Sequence, residues 1–83
     1  MIYDVLFSLD AAAELLRIAG AVGSAVSVLN AVDSIRRKLE NDPVVQGTFL
    51  SEGLYYIDEE PLRAFFVIDA KLMVVEVTDF RIL

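Results

Sequence analysis

The side chains able to do chemistry here are few in kind. The 83-residue sequence has no cysteine and no histidine, which excludes disulfides, thiolate nucleophiles, imidazole general bases and the usual zinc sites. Arginine, tyrosine and carboxylate remain. Arg63 and Arg81 each stand in a run of β-forming residues. A guanidinium stays charged at physiological pH, and its planar fork can hold a phosphate bidentately. Beside a reacting phosphate, such groups could also stabilise the extra negative charge of an in-line transition state. Equally, an arginine on the solvent face of a sheet serves solubility, and Glu76 and Asp79 lie near enough in sequence to pair with Arg81. Tyr55 and Tyr56 could stack on a base or pass a proton through the phenol. As neighbours on a strand they point to opposite faces, so one at most serves a shared site. The plain alternative is one core ring and one surface ring.

Two charged runs have simpler readings. Arg36-Arg37-Lys38 is the one basic run; it could meet phosphates, but it falls at the end of a helical pattern, where cations compensate the negative end of the dipole. Asp58-Glu59-Glu60 could bind a cation or repel RNA, and reads more simply as a polar hairpin turn. The whole chain is acidic, with 13 acidic residues against 7 basic ones and a net charge of −6. That balance opposes nucleic-acid binding unless a local patch escapes it. No calcium-hand spacing and no cofactor motif is present, so no cofactor or metal is expected.

The elements that must position these groups follow from periodicity. Residues 2–7 alternate as a strand, with Tyr3, Val5 and Phe7 on one face and Ile2, Asp4 and Leu6 on the other. Ser8 is a candidate N-cap for a helix over 9–19, whose buried stripe would draw on Ala12, Leu15, Leu16 and Ile18. Gly20 and Gly23 bracket a short connection to a second helix. There Val22, Val26, Leu29, Val32, Ile35 and Leu39 recur three or four apart as one apolar face. Asn41-Asp42-Pro43 stops that helix. A loop through Gln46-Gly47-Thr48 then leads to three β runs, at 52–57, 62–68 and 73–80, joined by polar turns at 58–61 and 69–71. The predicted order is β-α-α-β-β-β: one α+β domain over residues 1–83, a helical hairpin packed on an antiparallel sheet.

That order, with these segments, resembles the RelE/ParE superfamily of bacterial toxins. The resemblance is carried by Ser8-Leu9-Asp10-Ala11-Ala12-Ala13-Glu14-Leu15, an opening of cap and alanine-rich helix, and by Ala31 to Leu39 closed by Asn41-Asp42-Pro43. Glu52 to Ile57 with Pro61 to Asp69 resembles the family's central hairpin, and Val75 to Arg81 its last strand. Membership implies a ribosome-dependent mRNA endonuclease or a gyrase poison, silenced by a cognate antitoxin whose peptide wraps the toxin. Arg63 matches the position where mRNA-cleaving members place an arginine beside the scissile phosphate. Arg81 matches a basic position near the end of the last strand, and Tyr56 is a further site candidate. The sequence departs from the RNA-cleaving pattern in having Lys38 and Lys71 as its two lysines and no histidine.

Composition also supports a second class of function. Hydrophobic residues make up 57% of the chain and the mean hydropathy is +0.59, more apolar surface than one small core absorbs. A free sheet edge adds to this. Both features suit a non-catalytic domain of the same fold that binds a protein partner or a second copy of itself. No secretory signal is visible, and the uncharged run from Ile18 to Val32 is shorter than the roughly 20 residues that span a bilayer. A cytoplasmic protein with no membrane contact is expected.

Overall fold

The computed structural model describes residues 2–83. Its elements are β1 (Asp4–Phe7), α1 (Leu9–Ala21), α2 (Ala25–Asn41), the one-turn α3 (Pro43–Gln46), β2 (Thr48–Ser51), β3 (Leu54–Glu59), β4 (Leu62–Asp69) and β5 (Val74–Ile82). The strands form a single sheet in the order β1-β5-β4-β3-β2.

Strands β2 to β5 make the expected antiparallel meander, whereas β1 pairs parallel to β5, so the sheet is mixed. Two helices carry the chain from β1 back over the sheet, and they leave β1 to join the far edge in either direction. Periodicity is blind to that choice. The two main helices lie on one face of the sheet, and the other face is open.

Each helix end has a chemical stop. Ser8 caps α1, its Oγ accepting from the Ala11 N–H at 3.0 Å. After α1, Gly23 adopts φ 81°, a left-handed conformation that costs other residues about 1–2 kcal/mol. Ser24 then caps α2 by accepting from the Ser27 N–H at 3.3 Å. Asp42 ends α2 and caps α3, its Oδ1 accepting from the Val45 N–H at 3.3 Å, with Pro43 in the first turn.

The core joins Ile18 and Ala11 of α1 and Val28, Ala31, Ile35 and Leu39 of α2 to Val5, Ile57, Leu62, Ala64, Phe66, Val75, Val77 and Phe80 of the sheet. The expected stripes are corrected in part. Ile18, Ile35 and Leu39 are buried, but Leu16 is 76% exposed, Val26 68% and Leu29 60%, and Ala12 is also exposed. The spacing explains the error. Each step of three residues falls about 60° short of a full helical turn, so the steps from Val26 through Leu29 and Val32 to Ile35 carry Val26 to the opposite side from Ile35. Val22 belongs to the cap of α1, not to α2.

Three connections also differ from expectation. The stretch read as a loop holds α3 and the edge strand β2, whose residues are all exposed. Asp58 and Glu59 belong to β3, leaving Glu60-Pro61 as a two-residue turn with a cis peptide bond. Asp69 ends β4, and the chain turns after it, with Met73 at φ 55°.

Gly47 is set by packing. A Cβ there would run into the Phe66 ring and stand 3.0 Å from the Pro43 carbonyl oxygen. Phe66 is wholly buried and stacks on Tyr55, with centroids 5.6 Å apart. The absence of a side chain at Gly47 therefore lets the segment after α3 close over the sheet.

Candidate functional site

The open face of the sheet is a grid of side chains fixed by strand register. The tight Glu60-Pro61 turn sets Glu59 opposite Leu62, Asp58 opposite Arg63 and Tyr56 opposite Phe65. On the other side of β4, Arg63 faces Arg81 and Phe65 faces Asp79. Two rows result, Asp58–Arg63–Arg81 and Tyr56–Phe65–Asp79, lying side by side across three strands.

Arg81 reaches this face because of a bulge. Val75 and Val77 point into the core, so simple alternation would bury residues 79 and 81. Thr78 has no partner in β4, and the register shifts there, so Phe80 is the buried residue and Asp79 and Arg81 turn outward. The bulge is held by the protein itself. Ser8 Oγ donates to the Thr78 carbonyl at 3.3 Å, and Thr78 Oγ1 donates to the Phe65 carbonyl at 3.4 Å.

Within the grid each guanidinium lies over an aromatic ring. Arg63 Cζ is 4.2 Å from the Tyr56 centroid and Arg81 Cζ is 5.7 Å from that of Phe65. The two rings are themselves neighbours, with centroids 6.5 Å apart. Each guanidinium also meets a carboxylate. Arg63 donates from Nε to Asp58 Oδ1 at 2.6 Å and from a terminal nitrogen to Asp58 Oδ2 at 2.9 Å. Arg81 Nε lies 3.8 Å from Asp79 Oδ2. The hydrogen bonds from Arg63 lower the Asp58 carboxyl below its usual range, and Asp58 in turn raises the Arg63 guanidinium. Both side chains are partly exposed, so solvent screens the pair and it adds little to stability.

All three residues expected at a site, Arg63, Arg81 and Tyr56, thus share one face and one patch. Tyr55 points the other way, into the helix-side packing with Phe66, as strand alternation requires. Phe65 and Asp58 are the members that the sequence reading left out. Phe65 was within reach, since it stands two residues from Arg63 on the same strand. Asp58 was hidden by reading 58–61 as a turn. The basic run lies elsewhere and is dispersed: Arg36 sits over the Phe7 ring, Arg37 pairs with Asp33, and Lys38 bonds to Glu59 at 2.7 Å.

Arg81 also lines an open cleft of about 490 Å³ between α1 and the end of β5, together with Glu14, Arg17 and Asp79. Glu14 and Arg17 are paired there, which lowers the Glu14 carboxyl. Among the described residues no group of His, Cys, Asp or Glu is placed to hold a metal ion.

No protein-family model and no curated protein matches the sequence. Among solved structures, a chain of the crystal structure of the toxin–antitoxin complex RelBE2 from Mycobacterium tuberculosis superposes with a TM-score of 0.82. The alignment covers 100% of this chain and 93% of that one, at 17% sequence identity. The chain has a RelE-like fold. The RelE-like architecture holds over the whole chain, with the helical pair on one sheet face and the arginine–aromatic patch on the other. No helix among the described residues of this RelE-like domain is long and apolar enough to cross a membrane.

Proposed function

We propose that this chain is the toxin of a type II toxin–antitoxin pair, acting on RNA in translation and silenced by a cognate antitoxin. The observation that carries the reading is the placement of Arg63, Arg81, Tyr56 and Phe65 in one patch on the open face of a RelE-like fold. Single-stranded RNA is recognised by aromatic rings and guanidinium planes that stack on its bases and by cations that hold its phosphates. This patch supplies both kinds of group side by side.

The roles divide by chemistry. Arg63 and Arg81 hold the backbone phosphate and stabilise the charge that develops as it is attacked in line. Phe65 offers an apolar face for a base. Tyr56 carries the hydroxyl in the patch and would move a proton, a task that falls to it because the chain has no histidine. A gyrase target gains no comparable support, since the patch matches a single strand.

The structural neighbour is a complex of a toxin with its antitoxin, which supports an antitoxin as the partner here. The exposed Leu16, Val26 and Leu29, and the exposed edge strand β2, give such a partner apolar surface and backbone to cover.

The reading is tested by adding purified protein to a bacterial cell-free translation reaction and mapping mRNA ends by primer extension. Loss of translation with new RNA ends, absent for an Arg63→Ala/Arg81→Ala variant, is the expected result. Translation equal to that of a buffer control would contradict it and favour a non-catalytic interaction domain.

A further inference from the structure

The patch that would grip RNA is already gripped by the protein. Asp58 engages Arg63 through two parallel hydrogen bonds, at 2.6 and 2.9 Å, along the edge formed by Nε and a terminal nitrogen. This is the geometry in which an arginine takes a phosphate. Asp79 stands beside Arg81 in a looser arrangement. The surrounding field has the same sign: on the open face Asp4, Asp58, Asp69, Glu76 and Asp79 outnumber Arg63 and Arg81. A guanidinium with its charge offset by a bidentate carboxylate attracts a phosphodiester weakly, and the face around it repels one.

Position shows why Asp58 is the decisive carboxylate. Two arginines directly opposite each other, as Arg63 and Arg81 are, repel across a strand pair. Asp58 completes the row on the other side of Arg63, relieves that repulsion, and holds the guanidinium over the Tyr56 ring. Asp58 therefore keeps Arg63 in place and occupies it at once.

We propose that Asp58 is a built-in competitor for the phosphate site: RNA must displace the Asp58 carboxylate from Arg63, and the exchange sets a ceiling on how tightly the free protein binds RNA. The inference rests on the RNA reading of the patch. It makes the resting site self-satisfied, so that affinity is gained when the carboxylate is neutralised.

The test compares wild type, Asp58→Asn, Arg63→Ala and the double variant by fluorescence anisotropy with a labelled oligouridylate of about ten nucleotides. Asparagine keeps the shape of the carboxylate and one acceptor for Arg63, and Asp58→Ser replaces it if melting curves show a misfolded protein. The expected result is binding about tenfold tighter in Asp58→Asn, as one charge-assisted phosphate contact is released from competition. The slope of log affinity against log salt should steepen by about 0.7 for that extra contact. The gain should vanish when Arg63 is also removed. Equal binding by wild type and Asp58→Asn, with Arg63→Ala weaker, overturns the competition and leaves the RNA reading standing. Weaker binding by Asp58→Asn overturns it too, and makes Asp58 a positioning residue. A gain that persists without Arg63 overturns it as a general charge effect. Binding by none of the proteins overturns the RNA reading and the competition together.

Discussion

Arg63 and Arg81 stand directly opposite each other across β4 and β5, and they do so because Thr78 is an extra residue in β5. Without that bulge Arg81 would point into the core and Phe80 out of it. One unpaired residue therefore decides whether the sheet presents two guanidiniums together or one alone. Bulges re-aim side chains in this way at functional sites, and here the bulged carbonyl is tied to Ser8 at the start of α1.

Ser8 consequently has two roles, as helix cap and as the clamp on the bulge. Ser8→Ala should lose both hydrogen bonds and destabilise the domain by about 1–2 kcal/mol. For a domain of this size each kcal/mol corresponds to about 4–8 °C in the melting temperature. A thermal melt followed by circular dichroism measures the drop, and an unchanged melting temperature would show that the bulge stands without its clamp.

Gly47→Ala should destabilise by about 1–3 kcal/mol, the usual penalty for forcing extra volume into a packed site. The new methyl would meet the ring of buried Phe66 and the carbonyl of Pro43. Urea unfolding gives the difference directly. Restoration by a further Phe66→Leu change would identify the ring as the obstacle.

The Asp58–Arg63 pair predicts a definite dependence on pH. Arg63 lowers the folded-state pKa of Asp58, so the pair's contribution is full above the unfolded carboxylate value and is lost as pH falls through the lowered folded one. The stability difference between wild type and Asp58→Asn should be largest near neutrality and shrink below about pH 4. Partial exposure keeps the difference small. A difference that grows on acidification would contradict the pairing.

Much of this architecture was legible in the sequence because it rests on local chemistry. Ser8, Gly23 and Asp42-Pro43 punctuate the helices, and alternation set Val5 on the face opposite Asp4 and Leu6 and separated Tyr55 from Tyr56. What was not legible depends on long-range pairing. No local signal says that β1 runs parallel to β5, or that Thr78 bulges, since both follow from how distant segments meet. The α2 stripe failed for a different reason: apolar residues surround the first half of that helix, so steps of three or four can be followed to the wrong side. Arg63, Arg81 and Tyr56 are site candidates in the sequence, and strand register brings them into one patch. Asp58 was missed because the hairpin turn is two residues shorter than its charge pattern suggested.

The exposed apolar positions make a prediction of their own. Leu16→Ser and Leu29→Ser should each change stability by no more than about 0.5 kcal/mol, because both side chains are mostly exposed. Ile35→Ala, on the buried side of α2, should cost about 2–5 kcal/mol. Parallel denaturation curves separate the two faces, and a large loss at Leu29 would mean that this side of α2 is packed after all.

The central claim is that this RelE-like domain is a toxin whose active surface is the arginine patch. Tightly induced expression in a bacterial host, with growth followed beside an equally abundant and folded Arg63→Ala/Arg81→Ala variant, tests it most directly. Arrest by the wild type that the variant relieves is the predicted result. Undisturbed growth with abundant, folded wild-type protein would contradict it.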